Sequence, residues 1–259
     1  MKIGIALAGS AARGIAHLGI LQALEEVEIK ADRLTGVSSG ALVGALYADG
    51  YSPKRILSIV SQQFFLSFLS PSFFQGGGFL RLDNLEKLLR KYLRAETFEE
   101  LNIPLTVSAT DLHSGESVCF DQGELVPALL ASCCLPMIFT PVSFQGRTLV
   151  DGGLVNTLLV EPLQKNCDFI IGSHTNPLSD EQNLNTPQAI LQRCLRISIH
   201  ANARAGFPLC DWVIEPHELE NYAPFRFDQG EAMFKVGYEH TLAVRDEILH
   251  AISQKKLES

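Results

Sequence analysis

Twice within the first fifty residues, an apolar run ends in a turn of small residues that opens a helix. The first run covers residues 2–8. It is followed by Gly9-Ser10-Ala11-Ala12-Arg13-Gly14 and then by residues 15–27. Apolar residues at 15, 18, 21, 24 and 27 give that last segment one buried face at near-helical spacing. The second run covers residues 34–37 and enters the pentapeptide Gly36-Val37-Ser38-Ser39-Gly40, after which 39–47 reads as a tightly packed helix of small apolar residues. Strands that are mostly apolar, with little alternation, are buried on both faces, and such strands belong to parallel sheets. Further strands are expected at 105–110, 117–120, 148–150, 168–173 and 212–214. Helices are expected at 83–94, 124–132, 161–165, 188–205 and 231–251, with another opening at Pro53 behind Ser52 as N-cap. The expected fold is therefore α/β, a mainly parallel sheet covered by helices on both faces.

A chain of 259 residues with 46% hydrophobic residues can bury the core of one large domain. One domain over 1–259 is expected, with 60–80 inserted as a cap or flap. The net charge of −8 and the lack of a basic run argue against a nucleic-acid partner, since phosphate binding needs clustered Lys and Arg. The apolar N-terminal run is short and interrupted by Gly4, so it reads as a strand rather than a leader, and a cytoplasmic chain is expected. The apolar stretch 128–142 contains Pro136 and Pro141 and is too short to cross a bilayer. The cysteines at 119, 133, 134, 167, 194 and 210 show neither Cys-x-x-Cys nor zinc-finger spacing. They read as free thiols, and neither a metal nor another cofactor is expected.

Ser38 sits in a Gly-x-Ser-x-Gly turn between a strand and a helix, the setting in which a serine becomes a nucleophile. Gly36 and Gly40 allow a sharp bend and leave room above its hydroxyl. A serine hydroxyl is weak alone and needs a base, and the developing oxyanion needs aimed N–H groups. The loop Gly9, Ser10, Ala11, Ala12, Arg13, Gly14 offers first-turn N–H groups that lack helical partners. Parallel sheets place such loops at one edge of the sheet, so this loop and the Ser38 turn are expected to be neighbours. Asp151-Gly152-Gly153 ends another strand, where Asp151 can be approached closely or can simply begin an Asp-Gly turn.

These motifs, in this order, resemble the patatin-like phospholipase family. The segments Arg13-Gly14-Ile15-Ala16-His17-Leu18-Gly19 and Ser132-Cys133-Cys134-Leu135-Pro136-Met137-Ile138-Phe139-Thr140-Pro141 are similar to it as well. The resemblance covers most of residues 3–175. It implies a three-layer α/β/α fold and a Ser–Asp dyad that cleaves ester bonds of lipids without a metal. Ser38 would be the nucleophile and Asp151 the proton acceptor, with Gly152 and Gly153 supporting it. The loop Gly9 to Gly14 would form the oxyanion hole. The family's first loop is usually Gly-Gly-Gly-x-Arg-Gly, whereas Ser10 and Ala11 stand at its second and third positions here. If the third position requires a positive φ, Ala11 carries a steric cost there.

Several other readings compete. Ser38, Asp151 and His174 follow the Ser…Asp…His order of an α/β-hydrolase triad. A catalytically weak or inactive lipid-binding relative fits the departures at Ser10 and Ala11. A dinucleotide site would need glycine where Ala11 stands and an acidic residue at the end of the second strand, which Asp32 precedes. Arg13 suits either a phosphate or a braced loop. The stretch from Phe64 to Phe79, with six phenylalanines and Gly76-Gly77-Gly78, suits a mobile flap in peripheral contact with a lipid surface, or the packing of an irregular segment.

Overall fold

The computed structural model describes residues 1–68, 82–136, 138–178 and 184–258. Its strands are β1 (Ile3–Leu7), β2 (Arg33–Val37), β3 (Leu105–Asp111), β4 (Ser117–Phe120), β5 (Val142–Phe144), β6 (Arg147–Asp151), β7 (Phe169–Ser173) and β8 (Trp212–Ile214). All eight join one sheet. β3, β2, β1, β7 and β8 pair in parallel in that order, while β4 and β6 pair with β3, and β5 with β6, antiparallel.

β1 shows why the sheet is covered on both faces. Ile5 and Leu7 enter the larger apolar core, whereas Ala6 and Ala8 enter a smaller one with Leu158, Val160, Leu163 and Ile170. Strand side chains alternate between faces, so the large residues fill one layer and the small ones let a short segment lie close on the other. Each buried Ile or Leu contributes roughly 2 kcal/mol.

The helices are α1 (Ala16–Glu26), α2 (Ser39–Ala48), α3 (Pro53–Phe68), α4 (Asp83–Tyr92), α5 (Leu125–Ser132), α6 (Glu161–Gln164), α7 (Pro187–Gly206), α8 (Gly230–Ala243) and α9 (Arg245–Glu258). α1 packs on α8 through glycine. A Cβ at Gly19 would overlap the Phe234 carbonyl, and one at Gly237 would overlap the Ala16 carbonyl. Any side chain at either position would push the helices apart.

Two elements differ from the sequence expectation. β5 is an added strand, joined to β6 by Gln145 (φ 49°) and Gly146 (φ 73°). Two consecutive left-handed residues make the tight turn that matches strand twist. The helix expected over 231–251 is two helices that meet at Val244 (φ −101°, ψ 8°). No Gly or Pro marks the break. The change of direction buries Ile248 and Ile252 against the main core, so packing decides it. Of the segment 60–80 read as a flap, residues 60–68 belong to α3 and residues 69–80 lie outside the described residues.

Candidate active site

β3 brings the two candidate reactive residues together. Its residues 107–110 pair with β4 along one edge. Val107 and Ser108 also pair with β2, and Ala109 and Thr110 also pair with β6. A strand has only two edges, so β2 and β6 share the edge opposite β4. β2 runs parallel to β3 and β6 antiparallel, so they meet end to end. Val37 pairs with Ser108 and Asp151 with Ala109, at successive steps along β3.

Past Val37 the chain turns sharply. Ser38 has φ 52° and ψ −122°, a strained conformation for a residue with a side chain. Such strain costs on the order of 1–3 kcal/mol and must be held by its surroundings. The Ser38 N–H donates to Ser132 Oγ at 2.8 Å, and the Ser38 carbonyl accepts from Ala41 and Leu42 in the first turn of α2. Gly36 and Gly40 are absent from the positive-φ residues, so the serine itself carries the bend. Their role is close approach. A Cβ at Gly40 would overlap the Leu7 carbonyl, and one at Gly36 would meet Ala41 Cα at 2.6 Å.

Ser38 Oγ donates to Asp151 Oδ2 at 2.7 Å, and both residues are buried. Asp151 Oδ1 accepts the Gly153 N–H at 2.8 Å. Gly152 lies against the Ser108 carbonyl, where a Cβ would not fit. Burial pushes the Asp151 carboxyl up to about 6, and the hydrogen bonds from Ser38 and Gly153 favour the charged form and limit the rise. The side chain is therefore mostly ionised at neutral pH, yet more basic than an ordinary carboxylate.

The first loop is more fully engaged than six free donors would be. Gly9 N–H donates to the Thr157 carbonyl (3.0 Å), Ser10 N–H to Ser39 Oγ (3.1 Å), Ala12 N–H to the Pro224 carbonyl (2.8 Å) and Arg13 N–H to the Ser10 carbonyl (3.2 Å). Gly14 lies inside a 3-10 turn over Ala11–Ile15, its α-carbon too close to Ser39 for a Cβ to fit. The Ala11 N–H, at the start of that turn, has no protein partner among the described residues. Ala11 lines the same cavity as Ser38. Its φ is 51°, so the third loop position does demand the left-handed region, and alanine occupies it.

Side chains behind the loop hold this conformation. Ser10 Oγ hydrogen-bonds Thr175 Oγ1 at 2.6 Å, and Thr175 Oγ1 hydrogen-bonds His17 Nε2 at 3.2 Å. His17 is also bonded to Ser173 Oγ and the Ala8 carbonyl. Burial lowers its pKa to about 4, so the ring is neutral. The Arg13 side chain is buried and donates to Asn176 Oδ1 and to the Tyr222 and Glu220 carbonyls. Arg13 is thus a brace for the loop, and the phosphate-site reading finds no support in these contacts.

His174 is not joined to Asp151. Its Nδ1 bonds Glu215 Oε1 at 2.9 Å, while both Asp151 oxygens are engaged by Ser38 and Gly153. The contacts thus follow the expected direct Ser38–Asp151 pairing, and the competing triad reading, which needs His174 beside Asp151, finds no support in them. Sequence reasoning missed Ser132, Thr175 and His17 as supports. Ser132 stood within a quoted motif, but no local signal told of a hydroxyl partner 94 positions away.

An apolar cavity of about 350 Å³ opens at Ser38, and Leu42, Val43, Leu46, Ile56, Leu85 and Phe139 contribute to its wall. Phe225, more than half exposed, also lines it. Among the described residues, no helix is long and apolar enough to cross a membrane.

The patatin-like phospholipase family model matches residues 5–163. An uncharacterised NTE family protein of Mycobacterium bovis is 34% identical over 189 residues, which is 70% of this chain and 52% of that protein. Lysophospholipase NTE1 of Kluyveromyces lactis is 28% identical over 275 residues, 92% of this chain and 19% of that protein. The chain thus spans about half the length of the first relative and far less of the second. Among solved structures, VipD from Legionella pneumophila superposes with a TM-score of 0.64 at 16% identity, over 95% of this chain and 67% of that one. Human GIVD cytosolic phospholipase A2, solved with methyl gamma-linolenyl fluorophosphonate, gives 0.51 at 12% identity, over 100% and 60%. These two likenesses concern the fold, while the matched segment contains the first loop, the Ser38 turn and Asp151, and on it this chain belongs to the patatin-like phospholipase family.

Proposed function

We propose that this chain is a serine acyl-ester hydrolase acting on lipid esters, with Ser38 as nucleophile and Asp151 as base. The observation that carries this reading is the 2.7 Å hydrogen bond between Ser38 Oγ and Asp151 Oδ2 at the opening of an apolar cavity. In the first half-reaction, Oγ attacks the ester carbonyl as its proton passes to Asp151. The proton then leaves on the departing alcohol. In the second, water attacks the acyl-serine, Asp151 takes a water proton, and Oγ recovers it as the fatty acid leaves. Protons balance in both halves without a metal.

The oxyanion would be met by the Ala11 N–H and by the first-turn N–H groups of α2, whose dipole end favours negative charge. This narrows the hole from the whole Gly9–Gly14 loop to its third position. The cavity wall suits an acyl chain, and single-chain lipid esters such as lysophospholipids are the first substrates to test, in keeping with the relatives named lysophospholipase.

Fluorophosphonate labelling of Ser38, run beside Ser38→Ala and with p-nitrophenyl esters of increasing chain length, tests the proposal. Labelling and hydrolysis of the folded wild type, both lost in Ser38→Ala, are expected. A folded wild type that neither labels nor turns over at neutral pH would leave only the lipid-binding reading.

A further inference from the structure

His174, His200 and Glu215 form a cluster that the proposed chemistry does not use. Each offers one ligand atom, and these atoms lie within 4.8 Å of one another. The cluster is anchored on two neighbouring strand ends. Ser173 pairs with Ile214, so His174 and Glu215 are the next residues after β7 and β8. The His174 N–H donates to the Ile214 carbonyl at 3.0 Å. His200 comes from α7, its ring edge-on to that of His174 with centroids 5.5 Å apart.

A second observation points to a ligand. His174 is fully buried and presents its Nδ1 to Glu215 Oε1 at 2.9 Å, and beside this pair the buried His200 Nδ1 has no hydrogen-bond partner among the described residues. A neutral imidazole has one N–H and one lone pair, and in an interior both need a partner. Two imidazoles and a carboxylate are a ligand set that suits zinc and similar divalent transition metals.

We propose that His174, His200 and Glu215 bind a divalent transition-metal ion, zinc by preference, as a structural clamp. Ligands of a tetrahedral zinc stand about 3.3 Å apart, so closure from separations of up to 4.8 Å requires a shift of up to about 1.5 Å. Glu215, whose side chain is 19% exposed, has room to make it. The clamp would fix α7 to the sheet. That helix otherwise turns Ile190, Leu191, Leu195 and Ile197 outward, and it is tied down by Thr157 to the Ile199 carbonyl and by Asn202 to the Leu154 carbonyl. The following residues, Thr175 and Asn176, hold Ser10 and Arg13 of the first loop. A cation here would thereby stiffen the backing of that loop without touching a substrate. This inference stands whether or not the chain is a hydrolase.

The test uses the full chain, stripped with chelator, reloaded with zinc chloride and passed over a desalting column. Metal content by mass spectrometry and the melting temperature are both read. About one zinc per chain and a clear rise in melting temperature are expected for the wild type. Both effects should disappear in His200→Ala and in Glu215→Gln, the latter a near-isosteric change at a partly exposed side chain should the former fail to fold. A wild type that retains no zinc and melts unchanged overturns the proposal. So does retention of zinc in both variants, which would place the metal elsewhere, for instance on the exposed thiols of Cys119 and Cys194.

Discussion

Ser10 Oγ and Thr175 Oγ1 share a buried hydrogen bond of 2.6 Å that pins the loop just before the left-handed Ala11. A glycine at position 10 could not make this bond. The departure from the usual glycine-rich loop is thus matched by a side-chain tether. Replacing Ser10 with Ala, or Thr175 with Val, is expected to lower kcat by about tenfold while KM stays within about twofold, since the tether acts on the aim of one oxyanion donor and full loss of a donor costs about 10²–10³. Steady-state kinetics on a soluble short-chain ester check this. A loss confined to KM would count against it.

The pH profile should report Asp151. Its carboxyl is raised to about 6, and the base must be ionised to accept the serine proton. kcat/KM is therefore expected to rise with pH through a midpoint near that value and to level off above it. An activity limb near the ordinary carboxylate pKa of about 4 would assign the base elsewhere.

The same shift makes a stability prediction of the opposite sense. Burial raises the Asp151 carboxyl from its ordinary value of 3.8 to about 6, so the folded state disfavours its ionised form. That penalty is complete above pH 6 and is relieved as the pH falls from 6 toward 4. Asp151→Asn keeps the shape and removes the charge. It is expected to melt higher than the wild type at neutral pH, with an upper bound on the order of 3 kcal/mol, while losing activity by about 10³-fold or more. Thermal melts at pH 7 and pH 5 check the stability, because the gap should narrow at the lower pH, and steady-state kinetics at neutral pH check the loss of activity.

Ser132 supports the strained nucleophile from behind. Ser132→Ala leaves the buried Ser38 N–H without its acceptor, which costs about 1–3 kcal/mol. Denaturant unfolding should show that loss. Activity should fall with it even where the variant remains fully folded, because the φ of 52° at Ser38 then lacks its restraint.

The cavity wall should set chain-length preference. Leu42→Trp fills part of the space near Ser38. It is expected to lower kcat/KM for a dodecanoyl ester by about tenfold or more and for a butyryl ester by about threefold or less, consistent with about 1–3 kcal/mol per misfitted group in an apolar pocket. Equal losses on both esters would argue that the cavity does not hold the acyl chain.

The sheet was legible in the sequence because its central strands are apolar on both faces and end in small-residue turns. β5 escaped notice because it is three residues long, follows Pro141, and is completed by a Gln-Gly turn. The break at Val244 had no local marker, since only the burial of Ile248 and Ile252 favours it. Within the site, residue order suggested both Asp151 and His174 as partners of Ser38. Order alone could not separate them, because His174 faces Glu215 from the next strand over. Ser132 and Thr175 reach Ser38 and Ser10 across 94 and 165 positions of sequence, and His17 reaches Thr175 across 158, and no local pattern encodes such pairings.

The shared edge of β3 makes that strand a ruler. Val37, which carries Ser38 as the next residue, and Asp151 are set by successive marks on it, Ser108 and Ala109, and not by the length of chain between them. Insertions in the connecting segments therefore leave the gap unchanged. Deleting either mark, Ser108 or Ala109, would move one end by about 3.3 Å and turn its side chain to the opposite face. Tolerance to change in this protein is thus sharply uneven, broad along the connections and close to nil across two residues of a buried strand.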